Sequence, residues 1–235
     1  MNEMHREKTG IPLWRAGLLC LGCTALGAAL ALFWQGKPLQ PASPAPAEVM
    51  QSAAEQPADP TVVPADAVLT TADFSVSPAR AAYTDGAMRL VIPKLGINEP
   101  VLAGTEPSTL RRGLGLYDYA GLPDAPEANV SIAGHRNGVY NGSITDDVPF
   151  YYINTLTEND YLYLEYNGQA YQYLWESAQV ITPDNWTVIA GQGYGCVTLT
   201  TCTPIGVADH RLVVRGRWQE TLPLNENADY PPKVQ

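Results

Sequence analysis

Positive charge is scarce in this chain. It has 14 Lys and Arg residues against 24 Asp and Glu residues, which gives a formal net charge of −10. Nucleic-acid binding requires a basic face that neutralises phosphates. The composition therefore argues against nucleic acid as a partner, and it disfavours contact between the folded domain and an anionic lipid surface.

Sustained helical patterning is also lacking. The 20 prolines and 20 glycines interrupt the chain too often for a helix bundle, whereas 13 tyrosines and many short Val, Ile and Tyr runs favour strands. At least seven short strands are predicted, and Asn167-Gly168 is the predicted hairpin turn in "DYLYLEYNGQAYQYLWES". "EPSTLRRG" and "DDVPFYYINTL" are predicted to be short helices. The expected fold is a mainly β barrel or sandwich.

Charge is absent from one long apolar stretch, Ala16 to Trp34, which a basic flank precedes. At about 1.5 Å per residue, this stretch approaches the thickness of a bilayer core. Basic flanks favour the cytoplasmic side of a membrane. Residues 1–35 are therefore predicted to be a cytoplasmic N-terminus and single-pass membrane helix, with the rest of the chain extracellular. Cleavage as a secretory peptide after "ALA" at 29–31 is the alternative, and the domain is exported in both cases.

The predicted exported part of the chain has three regions that differ in composition. Residues 36–86 are rich in Pro, Ala and acidic residues and lack an apolar period, so they cannot bury enough surface to offset their ordering entropy. They are predicted to be a disordered linker whose last part, residues 72–86, can fold back as a lid. Residues 87–220 contain the predicted strands, and residues 221–235 form a polar tail.

Cysteine is scarce, and its placement limits its roles. Four cysteines are present, but only Cys196 and Cys202 lie outside the apolar N-terminal stretch. On one strand they are about 20 Å apart, whereas a disulfide needs Cα atoms within about 7 Å. Cys196, at the predicted strand start, is interpreted as a core residue. Cys202, at the strand end in "TLTTCTP", is either structural or a nucleophile.

Histidine and arginine near Cys202 favour the nucleophile. A catalytic cysteine needs nearby positive charge, a proton-transfer partner and hydrogen-bond donors for an oxyanion. His135, at a strand end in "IAGHRN", is favoured over His210 as the proton-transfer partner. Arg211 is predicted to lie beside Cys202, because a short loop joins their strands and adjacent antiparallel strands bring such ends together. Arg136 is expected at the surface or in an ion pair.

These motifs together resemble the sortases, the membrane-anchored cysteine transpeptidases of Gram-positive surfaces. "TLTTC" at 198–202 fits the family pattern Thr-Leu-x-Thr-Cys, "AGHR" carries the histidine, and "HRLVVRG" carries the arginine on the next strand. The likeness extends over about residues 89–217. The resemblance implies a closed eight-stranded sortase-type β-barrel with short helices, in which a groove leads to the cysteine.

The resemblance also implies a reaction. Cys202 would attack the carbonyl between Thr and Gly of an LPxTG-like sorting signal on a surface protein or pilin. An amine of a peptidoglycan precursor or a pilin lysine would then take the acyl group. His135 would be the general acid and base, Arg211 would hold substrate and stabilise the oxyanion, and Thr201 and Ala133 would orient the reacting groups. This chemistry needs no metal and no organic cofactor.

The subclass rests on features that differ between sortase classes. "TLTTCTPIG" and "HRLVVRGR" resemble the pilin-polymerising class C enzymes, which usually carry an Asp-Pro-aromatic lid and a second membrane segment. Here "ADFS" at 72–75 lacks the proline and the tail is polar, which favours a housekeeping or class D or E-like anchoring enzyme. The non-enzymatic alternative is a membrane-tethered β-domain for adhesion or cell-wall binding.

Overall fold

A computed structural model describes residues 59–60, 69, 71–224 and 230–232. Within them the chain forms ten strands, two short α-helices and four 3-10 turns. The strands are β1 (Met88–Ile92), β2 (Ile97–Ala103), β3 (Leu114–Leu116), β4 (Asn129–Ala133), β5 (Gly138–Tyr140), β6 (Ser143–Thr145), β7 (Tyr161–Tyr166), β8 (Gln169–Ile181), β9 (Cys196–Thr203) and β10 (His210–Pro223). The helices are α1 (Pro78–Ala81) and α2 (Pro107–Leu110), and the 3-10 turns are Thr71–Asp73, Pro93–Leu95, Ile153–Thr155 and Thr187–Ile189.

Eight strands close into a barrel in the order β1-β2-β3-β4-β9-β10-β8-β7. The pairs β2 with β3 and β4 with β9 are parallel, and the other neighbouring pairs are antiparallel. Closure removes the unpaired edges that an open sheet would expose. β5 and β6 form a separate two-stranded sheet. The predicted mainly β fold with an eight-stranded barrel is confirmed.

The predicted hairpin joins β7 to β8. Asn167 has φ 49° and Gly168 has φ 71°, the left-handed conformation at both central positions that a type I′ turn requires. The register pairs Tyr166 with Gln169 across this two-residue loop. β8 then continues for 13 residues and pairs with β10.

The wall formed by β9 and β10 carries apolar side chains on both faces. Val197 and Leu199 belong to the large core inside the barrel. Val213 instead packs in a smaller cluster with Val188 and Ile189, which come from the segment before β9. Side chains alternate between the two faces of a strand, so Cys202 shares the outer face with Thr200 and its partner Val213. The outer face of this wall is where the candidate site lies.

Ordered packing begins before residue 87, in the last part of the predicted linker, residues 72–86, which the sequence analysis expects to be able to fold back. Arg80 and Tyr83 are buried, at 4% and 8% exposed. Arg80 donates to the carbonyl oxygens of Leu116 at 2.9 Å and Tyr117 at 2.7 Å, and the Tyr83 hydroxyl donates to the Val101 carbonyl at 2.6 Å. These long-range bonds compensate for the segment's low apolar content, which was the reason for predicting disorder.

Two further predictions are corrected by the structure. "DDVPFYYINTL" is not a helix but a series of turns ending in the 3-10 turn Ile153–Thr155, because Phe150 and Ile153 are drawn into the core. The barrel does not end at residue 220, since β10 runs to Pro223. In the predicted tail, the Tyr230 ring lies 4.5 Å from the Tyr163 ring between centroids.

Several sequence predictions lie outside the described residues. These are the membrane helix in residues 1–35, nearly all of residues 36–70 and most of the tail. Among the described residues, no helix combines the length and apolar character needed to cross a membrane.

Candidate active site

Cys202 lies near the end of β9, on the outer face of the barrel wall. It is a free thiol and is partly exposed, whereas Thr201 and Thr203 on either side of it are buried. Thr201 faces the other way, and its Oγ1 donates to the Gly134 carbonyl at 2.7 Å. This bond ties the strand that carries Cys202 to the chain segment just before His135.

Arg211 lies directly opposite Cys202 in the register of β9 and β10. The predicted proximity of these two residues is therefore confirmed. Arg211 Nη1 donates to the carbonyl oxygens of His210 at 2.9 Å and Ala208 at 3.3 Å. These bonds anchor the guanidinium to the β9–β10 loop. Because a guanidinium has five N–H donors, Arg211 can bind a substrate carbonyl beside the thiol as well.

His135 follows β4, which runs parallel to β9. The register ends with Ala133 opposite Thr200, and the Gly134 amide donates to the Thr200 carbonyl at 3.1 Å. His135 and Cys202 each stand two residues beyond that pair, so both lie at the same end of these two strands. His135 is exposed, whereas Ala133 is buried in the barrel wall.

Gly134 allows the chain to approach the core immediately before His135. A Cβ atom at this position would lie 2.7 Å from Phe150 Cδ2 and 2.8 Å from Leu114 Cδ2. Both of those side chains are fully buried and cannot move away without opening a cavity. The glycine therefore fixes the direction in which β4 delivers His135.

Arg136 is not at the surface, because its side chain is only 1% exposed. Its Nε donates to the Tyr151 carbonyl at 3.0 Å, and its Nη2 forms an ion pair with Asp59 Oδ1 at 3.0 Å. Asp59 also accepts a hydrogen bond from Thr203 Oγ1. One carboxylate thus joins the residue after His135 to the residue after Cys202.

Sequence reasoning missed Asp59. The signal was present in "ADP" at 58–60, where an Asp-Pro pair stands in the segment interpreted as linker. The segment nearest the barrel instead reads "ADFS" at 72–75 and lacks the proline. A buried guanidinium requires a carboxylate partner, but the sequence does not indicate which of many acidic residues supplies it.

A small groove with polar and apolar walls lies beside Arg211. It is lined by Tyr117, Trp186, Val188 and Thr200, among others. The Tyr117 hydroxyl is 2.9 Å from Thr200 Oγ1, and its ring meets Trp186 edge-on at 5.9 Å. Burial raises the pKa of Tyr117, so its hydroxyl stays protonated and can donate. Tyr117 lies within residues 89–217, over which the sequence resembles the sortases, but no role for it was predicted from the sequence.

Two other basic side chains of β10, His210 and Arg215, interact with groups other than Cys202. His210 Nδ1 is 2.8 Å from Asp209 Oδ1, and His210 pairs in register with Thr203 rather than Cys202. Arg215 shares the outer face with Arg211, as its position in the strand predicts, but it donates to Thr198 Oγ1 at 3.3 Å and the Val188 carbonyl at 3.1 Å. It supports the segment before β9 and does not reach the thiol region.

Cys196 lies at the other end of β9 and is fully buried. Burial raises the pKa of its thiol to about 11, so the thiol is protonated and unreactive at neutral pH. Both cysteines are free, in agreement with the separation expected along one strand. Cys196 is a core residue, as the sequence predicts.

The arrangement is suited to covalent acyl transfer. A partly exposed thiol, an exposed imidazole and an anchored guanidinium meet at one edge of a rigid barrel. These are the groups that nucleophilic attack, proton transfer and oxyanion stabilisation require. In the part of the chain that the structure describes, no three His, Cys, Asp or Glu side chains are grouped so as to hold a metal ion.

A family model described as "Sortase domain" matches residues 90–219. Sortase SrtE1 of Streptomyces coelicolor is 34% identical over 165 residues, which are 64% of this chain and 45% of that protein. The chain spans about half the length of the curated relatives it matches.

Solved structures show the same similarity. Sortase E1 from Streptomyces coelicolor with a tripeptide in the active site superposes with a TM-score of 0.52 and 31% identity, covering 60% of this chain and 94% of that chain. A pilus-related sortase C of Group B Streptococcus gives a TM-score of 0.51 and 28% identity, covering 57% of this chain and 66% of that chain.

Proposed function

The chain belongs to the sortase family, and we propose that it is a cysteine transpeptidase for sorting signals of the LPxTG type. It cleaves the signal between Thr and Gly and joins the new carboxyl group to an amine. The observation that carries this proposal is the pairing of Cys202 with Arg211 across β9 and β10, at the edge where β4 delivers His135.

The first half-reaction forms a thioester. The Cys202 thiolate attacks the carbonyl carbon of the signal's Thr, and the oxygen of the tetrahedral intermediate accepts hydrogen bonds from Arg211. The C–N bond to Gly then breaks, and protonated His135 gives its proton to the departing amine. The surface protein remains attached to Cys202 as an acyl-enzyme.

The second half-reaction releases the acyl-enzyme. Neutral His135 takes a proton from the incoming amine, which attacks the thioester carbonyl. A new amide bond forms, and Cys202 leaves as a thiolate beside the imidazolium of His135. The enzyme thus returns to its starting protonation state, and no redox step or external co-reactant is needed.

The groove beside Arg211 offers a binding place for the apolar part of the signal. Its walls are Tyr117, Trp186 and Val188, and an extended peptide lying there would present its Thr-Gly bond to Cys202. Aromatic and aliphatic walls suit a Leu-Pro pair, which has few hydrogen-bonding groups of its own.

The segment predicted as a lid contacts the wall of this groove. The Phe74 ring stacks on Tyr119 at 5.4 Å between centroids, and Tyr119 meets Trp186 at 6.3 Å. We propose that residues 72–86 restrict access to the groove through these contacts. The segment would then select extended peptides that can enter beside it.

The partners follow from the same proposal. The chain would be held at the cell membrane by a single span in residues 16–34, with the barrel outside, and would act on surface proteins that carry a sorting signal. The acceptor would be an amine of a peptidoglycan precursor. A second candidate, pilus assembly with a pilin lysine as the acceptor, is favoured by the similarity to a pilus-related sortase C.

The test uses the full chain in detergent micelles with a fluorescence-quenched LPxTG peptide. Cys202→Ala should abolish cleavage, His135→Ala should lower the rate about 10²- to 10⁴-fold, and Arg211→Ala should lower it about 10²- to 10³-fold. His210→Ala is the matched control for the second exposed imidazole and should keep the wild-type rate.

Mass spectrometry separates the alternatives. An acyl adduct on Cys202, and its transfer to glycine- or lysine-bearing acceptor peptides, identifies the preferred amine. Cleavage that survives Cys202→Ala would contradict the mechanism. A wild-type chain that neither cleaves nor forms an adduct with any sorting-type peptide would instead support the adhesion or cell-wall binding alternative.

A further inference from the structure

A second cavity opens at the barrel end opposite the candidate active site. It has a volume of about 670 Å³ and includes Gly195, which directly precedes β9. Cys202 lies near the other end of that strand, about 23 Å from Gly195 at about 3.3 Å per residue. This volume falls in the range that small ligands occupy in proteins. The peptide reaction proposed above does not use the cavity.

Aromatic side chains form its walls. Trp218 is 46% exposed although it is large and apolar, and its Nε1 donates to Thr221 Oγ1 at 3.3 Å. Tyr194 also lines the cavity, and Arg217 covers its ring at 3.8 Å to the centroid. Arg217 is in turn paired with Glu176 at 2.7 Å. The hydrogen bond to Thr221 holds the Trp218 ring in position, and much of the surface of the ring is open to a ligand.

Two buried tyrosines supply hydroxyl groups. Tyr171 and Tyr173 line the cavity and are 7% and 2% exposed. Neither hydroxyl oxygen is among the fully buried polar atoms without a partner in the described part of the chain, so both hydroxyls are open to the cavity. Burial raises the pKa of both hydroxyls, so each keeps its proton and can donate. A ligand with acceptor oxygens in the cavity would therefore be within reach of two hydroxyl donors.

The charged residues at the cavity have one sign. Asp124 and Glu127 line it, and no Lys or Arg is among the described residues that do so. Asp124 accepts from Asn167 Nδ2 at 3.1 Å through one carboxylate oxygen. The cavity therefore disfavours phosphate and other anions, and it offers carboxylate acceptors to a ligand that carries donors.

We propose that this cavity binds a saccharide. A sugar ring stacks its C–H face on Trp218, its oxygens accept hydrogen bonds from Tyr171 and Tyr173, and its hydroxyls donate to Asp124 or Glu127. Aromatic walls together with both donors and acceptors match a ring whose hydroxyl groups can do both.

Two other ligand classes fit less well. An ammonium group on a basic peptide only donates, so it cannot accept a hydrogen bond from either tyrosine hydroxyl. A proline-rich peptide offers carbonyl acceptors but few N–H donors, so it would make few hydrogen bonds to the two carboxylates. A sugar unit satisfies both sets, and this favours it over a peptide.

Calorimetric titration of the full chain in detergent tests the proposal. The probes are chitotetraose, which carries N-acetyl groups, and cellotetraose, which carries hydroxyls only. Binding of either supports the site, and their ratio shows which sugar chemistry is preferred. Trp218→Ala should weaken binding about tenfold through loss of stacking, and Tyr171→Phe about three- to tenfold through loss of one hydrogen bond.

Two controls separate this site from the rest of the molecule. Tyr140→Ala removes an aromatic ring that is 70% exposed and outside the cavity, and it should leave saccharide affinity unchanged. Cys202→Ala should also leave it unchanged, which makes the result independent of the proposed transpeptidase activity. Thermal melts confirm that Trp218→Ala and Tyr171→Phe fold.

Three outcomes would overturn the proposal. The first is no saccharide binding by the wild-type chain up to about 10 mM, the weak limit of measurable affinity. The second is binding that Trp218→Ala and Tyr171→Phe leave unchanged. The third is tighter binding of a proline-rich or lysine-rich peptide than of either tetrasaccharide, which would assign the cavity to peptide docking.

Discussion

Replacing Asp59 with Asn removes the negative charge that neutralises Arg136 without changing the size of the side chain. The Arg136 side chain is 1% exposed and that of Asp59 is 19% exposed. In the variant, the guanidinium keeps the Tyr151 carbonyl as an acceptor but loses its ionic partner. The perturbation therefore removes a carboxylate charge from beside a buried cation, next to the residues that carry the proposed chemistry.

The size of the effect follows from the burial of the pair. Removing one partner of a buried ion pair costs about 3–5 kcal/mol, and the partial exposure of Asp59 favours the lower end, about 3 kcal/mol. For a folded region of this size, each kcal/mol lowers Tm by about 2–4 °C. Asp59→Asn should therefore lower Tm by about 6–12 °C.

Asp85→Asn is the matched control. Asp85 pairs with Arg112 at 2.9 Å, but the two side chains are 45% and 60% exposed, and such pairs contribute at most about 1 kcal/mol. Chemical denaturation of both variants of the full chain gives the comparison. If Asp59→Asn and Asp85→Asn differ by less than about 1 kcal/mol, Asp59 does not hold the Arg136 charge in solution.

Four further experiments test other parts of the structure. Iodoacetamide at pH 8 should label Cys202 but not Cys196 in the folded chain. The free energy of unfolding should fall as the pH rises from about 9 to 11, because the Cys196 thiol loses its proton in the unfolded chain but keeps it in the folded chain. Cys196→Ala should flatten this pH dependence. An unchanged slope in the variant would contradict the assignment of the effect to Cys196. Gly168→Ala should lower the free energy of unfolding by about 1 kcal/mol, because φ is 71° at this position. The control Gly191→Ala lies in open space without a positive φ and should leave the free energy almost unchanged. Equal losses in the two variants would argue against the predicted turn. Tyr117→Phe removes the hydroxyl that contacts Thr200 and should raise KM for the LPxTG peptide about three- to tenfold. An unchanged KM would mean that the peptide does not bind in the groove beside Tyr117.

Much of the fold follows from patterns that are local in sequence. The Asn167-Gly168 turn and the alternating strands around it require only neighbouring residues, and the structure has both. The proximity of Cys202 and Arg211 is almost as local, because a short loop between antiparallel strands leaves few other arrangements. The helix predicted in "DDVPFYYINTL" fails for the opposite reason, since burial of Phe150 outweighs local propensity.

The amino-acid sequence by itself determined the strands, the hairpin and the proximity of Cys202, the proposed nucleophile, to Arg211. Only the tertiary structure decided that Asp59 pairs with Arg136 and that Tyr117 lines the groove. It also decided that aromatic residues from distant segments enclose a second cavity. The physical reason is sequence separation: contacts between residues far apart along the chain form only after the whole barrel has closed, and no local pattern specifies which partner each residue then meets.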